Sequence, residues 1–94
     1  LVEIAGLPGA ELIGTGITDL AREAETVPSL LVSIGAPRLR LLGLTLPDPL
    51  PDAERRLYAL LAAGGSDSAH SRFNALVRTL VSFERAAALR RRAA

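Results

Sequence analysis

Cysteine, methionine, tryptophan and lysine are all missing from the 94-residue chain. Without cysteine there is no disulfide framework, no thiolate zinc site and no cysteine nucleophile. Aromatic residues are nearly absent: Tyr58, Phe73 and Phe83 are the only three. That is too few for the stacking platforms of a single-strand nucleic-acid binder. His70 is the only histidine, which excludes a zinc site built from several histidines of one chain. The missing lysine removes the P-loop reading of Gly6-Leu7-Pro8-Gly9. Gly14-Thr15-Gly16 is not followed by the third glycine that a dinucleotide fingerprint needs. Apolar runs stop at about five residues, far short of the ~20 of a membrane span. No catalytic residue, cofactor or metal is therefore assigned.

What is present describes a folded helical chain. Hydrophobic residues make up 49%, too many for a disordered tail. The length suits one domain, residues 1–94, with a modest core. Net charge is +1, but it is unevenly spread. Residues 1–27 carry Glu3, Glu11, Asp19, Glu23 and Glu25 against Arg22, a sum of −4. Residues 28–94 carry ten arginines against Asp48, Asp52, Glu54, Asp67 and Glu84, a sum of +5. Acidic head and basic remainder attract each other, within one chain or between two. All basic residues being arginine, with abundant Leu and Ala, reads as GC-rich coding, and the expected setting is a bacterial cytoplasm. The chain opens at Leu1, which leaves room for residues upstream; those present carry no targeting signal.

Periodicity predicts an all-α bundle of four to five helices with a long C-terminal helix. Val2-Glu3-Ile4 reads at most as a stub of strand, followed by a turn at Gly6–Gly9. Ile13, Ile17, Leu20, Ala21 and Ala24 mark one helical face over about 10–25. Thr26 is the expected N-cap of a short second helix, with Pro28 in its first turn and an end near Gly35. Pro37 opens a further short helix that closes at Gly43. Pro47, Pro49 and Pro51 make residues 44–52 an extended connector. Asp52 is the expected cap of a helix to Ala63, which Gly64 and Gly65 end. Ser66 then caps a last helix over Asp67–Arg91, on the order of 37 Å long.

That last helix carries the most information. Ala69, Phe73, Leu76, Leu80, Phe83 and Ala87 follow steps of 4, 3, 4, 3 and 4, which is a heptad seam. Val77 and Val81 widen it to an arc of roughly 160°, against the ~100° stripe of an ordinary surface helix. The preceding helix covers half of it. The other half must meet the first helix or a second chain, so the seam is either internal core or partly a homodimer interface. Phe73, Leu76, Leu80, Phe83, Glu84 and Ala87 are the interface candidates. Glu84 on this side needs a partner, from Arg55, Arg56 or an arginine of another chain, or else a solvated edge.

Two motifs compete with the interface reading. Ser66, Asp67, Ser68, His70 and Ser71 bring the residue types of a triad together, but on one helical turn the serines serve better as caps and no oxyanion loop is evident. His70, Asn74 and Arg78 form a polar ridge at four-residue spacing. Residues 29–44 have the apolar spacing of a helix-turn-helix. Its second helix offers only Arg38 and Arg40 to DNA, with Arg90, Arg91 and Arg92 as a basic tip. The expected function is a non-enzymatic helical interaction or regulatory module that pairs with itself, or with a helical partner, through its C-terminal helix; the alternative is a helix-turn-helix DNA binder.

Overall fold

The computed structural model describes residues 3–93. Among them are four helices and no strand: α1 (Ala10–Ala21), α2 (Val27–Leu41), α3 (Ala53–Ala63) and α4 (Ser66–Ala93). Glu3 and Ile4 are irregular; Val2, the rest of the expected strand stub, lies outside the described residues. So does the side chain of Ser66, and with it the expected cap.

α2 is the centre of the bundle and packs against α1, α3 and α4. Ser29, Leu30, Leu31, Val32, Ser33, Gly35, Ala36 and Leu39 are buried, so it is covered nearly all round and has little amphipathic character. The two short helices expected over this stretch are one. Pro37 has no N–H for the Ser33 carbonyl, which costs ~3 kcal/mol or more in an ordinary helix. Burial of Ala36 and Leu39 on either side of the exposed proline offsets that cost. Residues 29–44 therefore do not form a helix-turn-helix: no turn divides them, and the middle of the segment faces the core.

Both ends of α2 are built as the sequence suggested. Thr26 is extended and its hydroxyl accepts from the Ser29 N–H at 3.2 Å, while the Ser29 hydroxyl accepts from the Thr26 N–H at 2.8 Å. This reciprocal cap holds the first turn. The Thr26 hydroxyl also donates to the Asp19 carboxylate at 2.8 Å, tying the end of α1 to the start of α2. At the far end Gly43 has φ +98°, and the Leu44 N–H reaches back to the Leu39 carbonyl at 3.1 Å. That 6→1 bond ends the helix and turns buried Leu44 onto the core.

α1 ends four residues earlier than its apolar spacing implies. Glu23 takes a left-handed conformation, φ +59°, and the Ala24 N–H bonds the Asp19 carbonyl at 2.9 Å, the same terminating turn without a glycine. Asp52 sits at the N-cap of α3 but is left-handed too, and its carboxylate makes no cap bond. It pairs instead with Arg55. α3 and α4 form a hairpin over Gly64 and Gly65, the latter at φ +141°.

α4 is one unbroken rod of 28 residues. At ~1.5 Å per residue it is about 42 Å long, which equals the longest dimension of the molecule, 42 × 25 × 18 Å. α3 covers its first half. The remainder meets α2 and the loop ahead of α1. Gly35 lets Leu80 lie against the α2 backbone, since a Cβ there would be 2.9 Å from Leu80 Cδ1. Gly9 likewise lies close to α4, with a Cβ position 2.8 Å from Thr79 Cγ2. One hydrophobic cluster spans all four helices, with Ile13, Leu20, Leu30, Leu31, Leu57, Leu61, Leu80 and Phe83 among its members.

Candidate functional site

The heptad seam divides into two populations. Ala69, Leu80, Phe83 and Ala87 are buried within the chain's own core, Phe83 completely. These side chains are occupied by α2, α3 and the N-terminal loop and present nothing to a second molecule. Phe73, Leu76 and Glu84, the other interface candidates, are half-buried. Beside them Val77 and Val81 are also half-buried and lie outside the core cluster and the residues packed on it. On α3, Tyr58 stands 39% exposed and tilts against Phe73, ring centroids 5.8 Å apart. Tyr58, Ala59 and Phe73 floor a shallow groove whose rim carries Asp52, Glu54 and Arg55. Tyr58, Phe73, Val77 and Val81 thus make an apolar strip along the α3–α4 flank. The apolar spacing of α3 does not mark Tyr58, which follows Arg55 by three positions on the exposed side of the helix.

Glu84 faces α2. Its carboxylate oxygen lies 3.3 Å from where a Cβ on Gly35 would be. Burial pushes its carboxyl above the usual range, and the positive charge of Arg38 opposes that shift. Arg38 of the same chain supplies that opposing charge from a distance, with no salt bridge between the two. Arg55 is held by Asp52 and Arg56 by Glu25 at 3.3 Å. The Arg56–Glu25 pair is the one ion pair, among the described residues, that joins the acidic head to the basic remainder.

The arginines singled out for nucleic acid have different duties. Arg90 donates to the carbonyls of Glu3 and Ala5 at 3.1 and 2.9 Å. Arg91 donates to the Leu41 carbonyl at 2.6 Å, capping the end of α2. Arg40 donates to the Pro47 carbonyl at 3.1 Å and so holds the connector. Arg38 and Arg92 are exposed. The structure brings Arg38, Arg40 and Arg91 to one end of the bundle, at the end of α2.

No family model, curated protein or solved structure matches this chain. The residue types of a triad do not converge: Asp67, Ser68, His70 and Ser71 are all exposed on the first turns of α4, and His70 pairs with Asn74 at 3.2 Å. Two members of the polar ridge are thus bonded to each other. Gly14 and Gly16 lie inside α1, not in a phosphate loop. Among the described residues no helix is long and apolar enough to cross a membrane.

Proposed function

We propose that the chain is a non-enzymatic helical interaction module that pairs with a second copy of itself across the α3–α4 flank. The observation that carries this reading is the strip Tyr58–Phe73–Val77–Val81, which the chain's own elements leave half uncovered. A partly exposed aromatic pair is the composition of an interface centre rather than of a solvated helix face. The occupant is a second copy because the strip is self-complementary. In an antiparallel pair with its two-fold axis at residue 77, Val77 meets Val77 and Phe73 of each copy meets Val81 of the other. The uneven charge favours the same arrangement, since among the described residues Arg56–Glu25 is the one ion pair of head with remainder. An all-helical chain without a membrane-spanning helix among its described residues fits a cytoplasmic setting.

Light scattering at micromolar concentration tests the proposal. The wild type should scatter as about twice 9.9 kDa, and Val77→Arg/Val81→Arg as a monomer with unchanged helical circular dichroism. A wild type of 9.9 kDa across that range overturns the reading. Phe83→Arg or Leu80→Arg would be uninformative choices, because both residues are buried in the monomer and a charge there unfolds it.

A further inference from the structure

The outward face of α4 carries a second, independent feature. From Ser68 to Ala93 the helix holds six arginines (72, 78, 85, 90, 91 and 92) and one acid, Glu84, a net charge of +5. Glu84 is turned inward against Gly35 and Arg38. Arg90 and Arg91 are engaged with backbone carbonyls. Of the four that remain, Arg72 lies about 120° round the helix from Arg78; Arg78, Arg85 and Arg92 are all exposed, with neither hydrogen bond nor ion pair among the described residues. They recur every seven residues, so they fall within a narrow sector of the helix and stand ~10.5 Å apart over ~21 Å. No carboxylate sits three or four residues from any of them, where a solvated helix would ordinarily place one.

We propose that this lane of Arg78, Arg85 and Arg92 docks along the phosphate backbone of double-stranded nucleic acid, without reading sequence. A row of unpaired guanidiniums on a straight rod matches a straight polyanion, and phosphate contact needs only charge and reach. A single strand would need aromatic platforms, yet Tyr58 and Phe73 face each other and Phe83 is buried. An acidic helix would need a continuous apolar seam between the charges. The lane instead alternates with Asn74, Ser71 and Ser82, and Leu89 is its only large exposed apolar neighbour. The docking element is α4, not the buried segment 29–44, and it lies against the backbone rather than in a groove.

The test is fluorescence anisotropy with a labelled random duplex of about twenty base pairs. Three phosphate contacts predict that affinity falls about 40-fold between 50 and 200 mM salt. Arg78→Gln/Arg85→Gln/Arg92→Gln should weaken binding at low salt at least tenfold. The control Arg22→Gln/Arg55→Gln/Arg72→Gln removes the same charge elsewhere and should weaken it less than threefold. Equal losses in the two triples, or no binding at 50 mM salt, overturn the proposal. So does tighter binding to a poly-glutamate peptide, which would assign the lane to an acidic protein, or tighter binding to a single strand of the same length.

Discussion

Two glycines in α1, one turn-half apart, should respond oppositely to the same added methyl group. At Gly14 nothing lies within 4 Å of the position a Cβ would take. At Gly16 a Cβ would meet the Pro28 carbonyl oxygen at 2.4 Å, Val32 Cγ2 at 2.5 Å and the Pro28 carbonyl carbon at 2.8 Å. Gly16 is thus where the two helices touch backbone to backbone. Pro28 cannot yield easily, since it lies between the two residues of the Thr26–Ser29 cap. Restoring ordinary contact means moving α1 off α2 by roughly 1 Å, an overpacking of the kind that costs about 1–3 kcal/mol or more. Against this, alanine gains about 0.5–1 kcal/mol over glycine inside a helix. Because the clash at Gly16 is with backbone, its cost falls in the upper half of that range, about 2–3 kcal/mol, so Gly16→Ala should lose about 1–2.5 kcal/mol net, while Gly14→Ala collects the gain alone. For a domain of this size each kcal/mol moves Tm by about 4–8 °C. Thermal melts followed at 222 nm should therefore show Gly14→Ala above the wild type by about 2–8 °C and Gly16→Ala below it by about 4 °C or more. A Gly16→Ala variant as stable as the wild type would refute the placement of the α1–α2 crossing, and with it the packing of the central helix.

Ser33 and Glu84 give two further predictions. The buried Ser33 hydroxyl donates to the Ser29 carbonyl at 2.8 Å and accepts from the Leu50 N–H at 3.0 Å, so it pins the proline-rich connector to α2. Ser33→Ala should cost about 1–3 kcal/mol and speed proteolytic cleavage within residues 44–52; unchanged cleavage would show that the prolines alone hold the connector. Glu84→Gln should raise Tm at neutral pH, because burial makes the charged carboxyl the unfavourable form. The folded pKa lies above the ordinary glutamate value, so the folded state binds the proton more tightly than the unfolded chain. The wild type therefore gains stability as pH falls through the raised pKa, and the advantage of Glu84→Gln should shrink over that window. An advantage that grows on acidification contradicts the assigned environment.

The parts of this fold that were legible in the sequence rest on local chemistry. Thr26 followed by Pro28 and Ser29 announces a helix start, and Gly43 announces an end. The absence of any breaker after Asp67 announces a rod. What stayed hidden depends on neighbours far along the chain. Pro37 reads as a boundary until Leu39 and Leu44 are known to be buried on the same core as Leu30 and Leu31. Glu23 has no glycine to mark it as the residue that stops α1. Asp52 looks like a cap, but Arg55 three residues on competes for its carboxylate. The apolar seam of α4 was visible as a pattern. Its division into core and half-covered strip was not, because Gly9 and Gly35, which admit the loop and α2 to the helix, carry no apolar signal. The lane at Arg78, Arg85 and Arg92 was readable as spacing but was masked by the neighbouring cluster at 90–92, two members of which serve the backbone.

Arg90 holds carbonyls that lie 85 and 87 residues away along the chain, and Arg91 holds one that lies 50 residues away. During synthesis the opening segment, and the last turn of α2, must wait without these partners until the far end of α4 has left the ribosome. The first three helices are then exposed to a period in which the N-terminal loop is untethered. Closure of the bundle therefore follows synthesis of α4, at a pace set by the rate of translation as much as by the rate at which helices form.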